Sequence, residues 1–193
     1  MGFLKKLFGD RSENEMDATE IYFHEDLYCQ VEIIPRENSV NLDLENDKIN
    51  EFSEEHFDGV GYTDVYARDG HGIKTCERGI QVDELDELIT NIGFEKKNEI
   101  YTGYGAYKVK CKKTIGYHLD GAIIYCDFDE NQLIQNIWID GFRFNGKSTF
   151  KPQMIQALNE LGKRWNLILN DWDLCEKIDL EVENEISSYI DEE

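Results

Sequence analysis

The sequence contains no long uninterrupted run of apolar residues, so no membrane-crossing helix is predicted. No stretch approaches the roughly 18 apolar residues that a span requires. The first ten residues, MGFLKKLFGD, do not resemble a secretory signal, because their apolar residues are too few and are interrupted by Lys5 and Lys6. They do not match a myristoylation signal either, since Lys6 stands where serine or threonine is required. The expected location is the cytoplasm.

Cysteine and proline are also scarce. The five cysteines form an odd set without a CxxC pair, which argues against a disulfide framework and against a zinc knuckle, and they are expected to be reduced. Only two prolines are present and 40% of the residues are hydrophobic, so the chain can bury enough apolar surface to offset the entropy lost on folding. The cysteines are Cys29, Cys76, Cys111, Cys126 and Cys175.

Positive charge is the third shortage. The chain has 20 lysines and arginines against 41 acids, a net charge of −21. Residues 10–59 contain sixteen acids and three bases, and residues 168–193 contain ten acids and one base, whereas the remainder is nearly neutral. Such a field repels nucleic acid and anionic membranes and attracts basic proteins or cations. We therefore expect no nucleic-acid binding and no stable membrane association, although the acidity could serve solubility alone.

Apolar periodicity predicts an α+β fold with a mainly antiparallel sheet and helices packed on one face. The helix at 83–92 has the clearest pattern, with Asp83 as its cap and Gly93 as its stop. A short amphipathic helix with Phe3, Leu4, Leu7 and Phe8 and a polar linker at 10–19 precede a single domain, 20–193. Further helices are predicted at 47–57, 152–163 and 181–190.

Alternating apolar and polar residues predict the strands. A first hairpin is expected from 27–33 and 40–45 around PRENS, and a second within 62–75 around Asp69 and Gly70. A meander of three strands is expected from 107–111 and from the two apolar runs on either side of DENQ, and a last strand at 165–171.

Motifs for metal or catalytic chemistry are incomplete. DFDENQ begins like a calcium loop, but Gln132 and Trp138 stand where that loop requires glycine and glutamate. His24, Glu25 and Asp26 are adjacent and cannot converge on one ion in a strand, where side chains alternate between faces. No GxSxG elbow or phosphate loop is present. No catalytic residue, metal ligand or cofactor is predicted.

Two acidic stretches instead suggest a protein-binding surface, because aromatic residues beside charge are typical of interface anchors. Trp172 lies between two aspartates, and Tyr62 follows a cluster of acids. The alternatives are a Trp172 at the edge of the core and a solvated helix face at 51–64. The candidate partner-binding residues are Glu51, Glu54, Glu55, Asp58, Tyr62, Asp64, Asp171, Trp172, Asp173, Glu176, Glu181 and Glu183.

Three stretches are similar to the small acidic immunity proteins of bacterial polymorphic-toxin systems. They are GFLKKLFG, FDGVGYTDVYAR, and ALNELGKRWNLILNDWDLCEKIDL followed by a short terminal helix. The resemblance implies a cytoplasmic, non-catalytic protein that binds a cognate toxin and blocks it. Because such proteins differ in fold and interface, no binding residue is carried over from the family.

Two other functions are weighed against this one. The first is an enzyme or metal-dependent binder that uses scattered carboxylates together with His24, His71 or His118. The second is a peripheral adaptor held to a membrane by the apolar residues of 3–8, which the net charge opposes on anionic lipid. A basic protein, most simply a cognate toxin, is the expected partner.

Overall fold

The computed structural model describes residues 20–68, 70, 72–104, 107–140 and 151–191. It contains four helices, α1 Ser39–His56, α2 Val82–Ile92, α3 Lys151–Trp165 and α4 Glu183–Asp191. It also contains ten strands, β1 Glu20–His24, β2 Val31–Pro35, β3 Glu95–Lys97, β4 Glu99–Gly103, β5 Val109–Lys110, β6 Thr114–Leu119, β7 Ala122–Phe128, β8 Ile134–Asp140, β9 Leu167–Asp171 and β10 Glu176–Ile178. In the described part of the chain, no helix has the length and apolarity needed to cross a membrane.

Seven strands form the principal sheet in the order β10-β9-β2-β8-β7-β6-β3. Every pairing between neighbours in this sheet is antiparallel. A smaller sheet has the order β1-β4-β5, with β1 parallel to β4. The predicted α+β class and the mainly antiparallel sheet are confirmed.

The main core lies on the face of the large sheet that α2, α3 and α4 cover. Successive strand residues point to opposite faces, so Ile124 of β7 and Ile137 of β8 project into this core. The helices contribute Leu85, Leu158 and Ile186, each almost entirely buried. Within α2, for example, the buried residues Val82, Leu85 and Ile89 are spaced three and four residues apart, the pattern of an amphipathic helix.

The other face of the large sheet has two separate covers. The small sheet packs Phe23 and Ile100 against Tyr125 and Trp138, whose rings stack with centroids 5.1 Å apart. At the opposite end of the sheet, α1 packs Leu42 against β2, β9 and the residue after β9. Three of the four described helices therefore share one face, as predicted, whereas α1 lies on the opposite one.

The predicted strand at 40–45 is wrong, because this segment forms the first turns of α1. Val40, Leu42 and Leu44 alternate as a strand would, but only Leu42 is buried, and Val40 is 71% exposed. The residues that the helix buries are Leu42, Glu45 and Asn46, at the spacing of a helical face. The alternation did not indicate a strand, and the buried face of the helix is the one that packs on the sheet.

Three finer predictions also need correction. The strand that pairs with β7 is β6, not the predicted 107–111, of which only two residues belong to a short strand in the small sheet. The predicted hairpin at 62–75 is absent from its described residues, 62–68, 70 and 72–75, and Asp69 lies outside them. The N-cap of α2 is Gln81 rather than Asp83, since the Gln81 amide donates to the Glu84 carboxylate at 3.3 Å. The predicted helix and linker at 1–19 lie outside the described residues.

Candidate protein-binding surface

The exposed face of α1 carries a row of carboxylates at its C-terminal end. The helix buries Leu42 and Asn46 against the sheet. Glu51, Glu54 and Glu55 follow at helical spacings of three and four residues, which places neighbouring carboxylates on one side of the helix. All three side chains are exposed. The C-terminal end of α1 is therefore an exposed acidic surface.

A tight turn follows α1 and is held by its own hydrogen bonds. The backbone amide of Asp58 donates to the carbonyl of Gly61 at 3.1 Å. The Asp58 carboxylate accepts from the amides of Gly61 at 3.0 Å and Val60 at 2.9 Å. These two donors lower the pKa of Asp58. Phe57 and Tyr62 form a β-bridge across the turn, and their ring centroids are 5.5 Å apart.

The chain beyond the turn is fixed to α1. The amide of Thr63 donates to the carbonyl of His56 at 2.9 Å. The ring of Tyr66 packs edge-on against Phe52 with centroids 5.3 Å apart, and its hydroxyl donates to the carboxylate of Glu45 at 2.9 Å. The turn is thus positioned by the helix below it rather than left without support.

This anchored turn exposes four large apolar side chains within nine residues. The exposed fraction is 53% for Phe57, 95% for Val60, 68% for Tyr62 and 87% for Val65. Contiguous exposed apolar residues with a polar rim mark interaction sites on soluble proteins. We call the apolar residues and their acidic neighbours the tip surface, which comprises Glu51, Glu54, Glu55, Phe57, Asp58, Val60, Tyr62, Asp64 and Val65.

Within the described part of the chain, the carboxylates of the tip surface are not neutralised by ion pairs. Residues 51–64 contain five acids and no lysine or arginine. Among the described residues, none of these five carboxylates forms an ion pair. Several acids elsewhere are paired, for example Glu99 with Lys110 at 2.5 Å and Glu95 with Lys97 at 2.6 Å. The tip surface is therefore a concentrated negative region beside exposed apolar groups.

Two of the predicted partner-binding residues in the second acidic stretch, from Asp171 to Glu183, are buried and are not accessible to a partner. Asp171 is 0% exposed, and its carboxylate accepts from the amides of Asp173 at 2.9 Å and Leu174 at 3.0 Å and from the hydroxyl of Tyr189. Trp172 is 6% exposed and packs in the core beneath α1. The proposal that Trp172 anchors a partner is corrected, and the alternative weighed in the sequence, a place in the core, is the observed one.

The rest of the second set stays at the surface, where part of its charge is neutralised. Glu181 lies 3.4 Å from the guanidinium of Arg36, and Glu183 lies 3.7 Å from the amine of Lys163. Asp173 is exposed and Glu176 partly exposed. These residues offer less uncompensated charge than the tip surface does.

The two acidic segments are adjacent in the part of the chain that the structure describes. Lys177 of β10 donates to the carboxylate of Asp43 at 2.5 Å, and the buried amides of Asn46 and Asn170 are joined at 3.0 Å. The most extensive contact is the antiparallel pairing of β2 with β9, and α1 meets the second segment through its first half. Glu54 lies eight residues beyond Asn46, roughly 12 Å further along the helix axis. The tip surface extends away from this contact.

The histidines weighed for metal chemistry serve local structure. His24 accepts the amide of Asp26 at 3.3 Å, and His118 accepts the amide of Gly121 at 3.2 Å. His71 lies outside the described residues. No group of three or more histidine, cysteine, aspartate or glutamate side chains in the described chain could hold a metal ion.

A cleft of about 330 Å³ opens between β2, β8 and residues 74–76. Cys29 and Cys76 are among its lining residues together with Glu32 and Asn136. Burial raises the pKa of the Cys29 thiol well above its ordinary value, so this thiol stays protonated and is a poor nucleophile. All five cysteines are free. The cleft therefore shows no activated nucleophile at Cys29.

Comparison of the chain with protein-family models, with curated proteins and with solved structures found no match. The similarity of the three sequence stretches to immunity proteins stays a prediction. The geometry of the tip surface is the firmer basis for a function.

Proposed function

We propose that this protein binds a basic protein through the tip surface and neutralises it, most simply as an immunity protein that blocks a cognate toxin. The observation that carries the proposal is the combination of four exposed apolar side chains with five carboxylates that have no ion-pair partner among the described residues. A surface of this kind suits a partner that presents lysines or arginines around an apolar centre.

Charge and apolar contact have different roles in such a complex. The net charge of −21 attracts a basic protein at long range and increases the association rate, an effect that salt weakens. Buried aromatic residues at the centre of an interface slow dissociation. Phe57 and Tyr62 are suited to this second role because the turn already holds them at the surface, so less conformational entropy is lost on binding.

The negative charge also suggests how binding would inhibit a toxin. A toxin that attacks nucleic acid needs a basic surface to bind phosphates. The carboxylates of Glu51, Glu54, Glu55 and Asp58 could take the place of phosphates on that surface. Occupying the surface would exclude the substrate without any catalytic action by the inhibitor.

The test begins with capture of partners from a host lysate at low salt, followed by purification of the captured protein and measurement of its affinity. We expect to capture a basic protein. The Kd of its complex should rise roughly 5- to 30-fold for the variant Glu54→Gln/Glu55→Gln, as the loss of two charge contacts of about 0.5–1 kcal/mol each predicts. Tyr62→Ala should weaken binding by roughly 30-fold if this ring is an interface anchor. Raising the salt from 50 to 300 mM should weaken wild-type binding more than that of the charge variant.

The matched control is Asp83→Asn/Glu87→Gln, which removes two exposed charges from α2 on the other face of the sheet. It should leave the affinity within twofold. An immunity role further requires that co-expression of the wild-type protein protects cells from the captured protein and that the tip-surface variants protect less well. Capture of only neutral or acidic proteins, or equal effects of both double variants, would rule out the proposal.

A further inference from the structure

The chain itself contains a stretch whose chemistry complements the tip surface. Residues 2–9, GFLKKLFG, combine two adjacent lysines with four large apolar residues and contain no acid. The tip surface combines exposed apolar side chains with carboxylates that lack ion-pair partners in the described chain. We infer that residues 2–9 bind the tip surface of the same molecule until a basic partner displaces them. This inference rests on the proposed function only for the identity of the competitor.

The charges of the two regions are opposite in sign, and in both regions they lie beside apolar residues. Lys5 and Lys6 are flanked on both sides by apolar residues, and the carboxylates of the tip surface lie before and between its apolar residues along the chain. A lysine pair placed over Glu51, Glu54 and Glu55 would therefore bring the flanking phenylalanines and leucines towards the exposed turn. The segment thus offers the same two kinds of contact that a basic protein partner would offer.

The connecting residues can span a large part of the body. Residues 10–19 separate the basic stretch from the start of β1 at Glu20. Ten extended residues span about 33 Å, and a compact chain of this size has a radius of gyration of about 16 Å. The linker can therefore extend over about twice the radius of gyration of the body.

The connecting residues also limit which part of the segment can bind. Residues 10–19 contain four acids and one arginine, a net charge of −3, whereas residues 1–9 contain two lysines and no acid. The acidic body repels the linker and attracts only the residues before it. Binding would therefore be confined to residues 2–9, with the linker held away from the surface.

Tethering makes a weak contact sufficient. Linkers of about ten residues give effective concentrations on the order of 1 mM. A segment with a Kd between roughly 0.25 and 1 mM would therefore occupy the tip surface about 50–80% of the time. Partners would bind an apparent two- to fivefold less tightly than they would bind the unoccupied surface, because the competent state is only partly populated.

Zero-length carbodiimide cross-linking of the full chain at 50 mM salt tests this contact without any partner. Peptide mapping of the monomer should join Lys5 or Lys6 to the carboxylates of residues 51–64. The yield should fall at least threefold in 500 mM salt and in Phe57→Ser/Tyr62→Ser. The matched control is Tyr104→Ser/Tyr107→Ser, which removes two aromatic residues that are 65% and 71% exposed between β4 and β5 and should leave the yield unchanged.

Several outcomes would overturn the inference. Equal cross-linking of Lys5 and Lys6 to Asp83 and Glu87 on α2 would indicate diffuse attraction to an acidic body. Cross-links found only in covalent dimers would assign the contact to a second copy. Loss of the cross-links on adding vesicles of phosphatidylcholine and phosphatidylserine at a 7:3 ratio, with co-sedimentation of the protein, would assign residues 2–9 to a membrane.

Partner binding provides an independent readout. If both the function and the inference are correct, Lys5→Gln/Lys6→Gln should tighten binding of the captured basic protein two- to fivefold, and Lys112→Gln/Lys113→Gln should not. If the cross-links form but the lysate yields no basic protein, the proposed function alone is contradicted. A captured partner without the cross-links would contradict the inference alone.

Discussion

Replacing Trp172 with alanine tests whether this residue belongs to the core or to an interface. Trp172 is 6% exposed and packs with Ile34, Leu42 and Ile168, and the guanidinium of Arg68 lies 4.7 Å from its ring centroid. A buried tryptophan withdraws roughly 200 Å² from water, or about 5 kcal/mol at 25 cal/mol per Å². Because unfolded chains are partly collapsed, this figure is an upper bound. We expect Trp172→Ala to lower the free energy of unfolding by about 3–5 kcal/mol.

Urea unfolding followed by far-ultraviolet circular dichroism at pH 7 measures this loss. Circular dichroism is preferable to fluorescence because the substitution removes one of only three tryptophans. With a denaturant slope of about 2 kcal/mol/M, the midpoint should fall by roughly 1.5–2.5 M. Tyr62→Ala is the matched control, since this side chain is 68% exposed and its removal should change stability by less than about 0.5 kcal/mol.

The two variants should therefore have opposite effects. Trp172→Ala loses stability, whereas Tyr62→Ala keeps stability and loses affinity for the partner. A loss below about 1 kcal/mol for Trp172→Ala, with an unchanged denaturant slope, would refute the placement of Trp172 in the core. It would also return this residue to the set of possible partner contacts.

Two further substitutions test the packing and the electrostatics of the fold. Gly162→Ala should destabilise the protein by about 1–3 kcal/mol in urea unfolding, because the added Cβ would lie 2.5 Å from Leu180 Cβ and 2.7 Å from its backbone carbon. Gly61→Ala, with no atom within 4 Å, should be nearly neutral, and equal effects would contradict the close packing. Asp179→Asn should lower stability by about 1 kcal/mol at pH 7, because Arg36 donates two hydrogen bonds of 2.6 Å to this partly exposed carboxylate. These bonds lower the folded-state pKa of Asp179, so the stability they supply is present above its unfolded pKa of about 4 and is lost as the pH falls through the folded value. If the difference in unfolding free energy between the wild type and Asp179→Asn stays constant from pH 6 to pH 2.5, this linkage is contradicted.

The elements that the sequence predicted correctly carry their signals locally. The helix α2 has Leu85 and Ile89 on its buried face, and Gly93 follows it with φ of 115°, a conformation that suits glycine. The strand β7 is a nearly continuous apolar run, and β8 has the apolar run Ile137, Trp138 and Ile139 beyond the polar turn; all three of these residues are buried. In each case neighbouring residues along the chain are enough to determine the structure.

The elements that the sequence predicted wrongly depend on distant contacts. Residues 40–44 fit either a strand or a helix, and the helix forms because Leu42 packs against Ile168 and Trp172, more than 120 residues away. Trp172 between two aspartates suggested an exposed anchor, but the end of β9 carries it beneath α1. Nothing in the sequence distinguishes the exposed valines near Tyr62, Val60 and Val65, from valines that are buried in a core.

The sequence by itself determined the α+β class, most of the helices and the surplus of negative charge, because periodicity and composition are properties of the chain alone. Only the tertiary structure decided which acids are accessible. The Asp171 carboxylate is buried and accepts hydrogen bonds, whereas Glu54 and Glu55 are exposed to solvent without ion-pair partners among the described residues. The physical reason is that burial depends on neighbours brought together by folding, and a carboxylate's local sequence does not specify them.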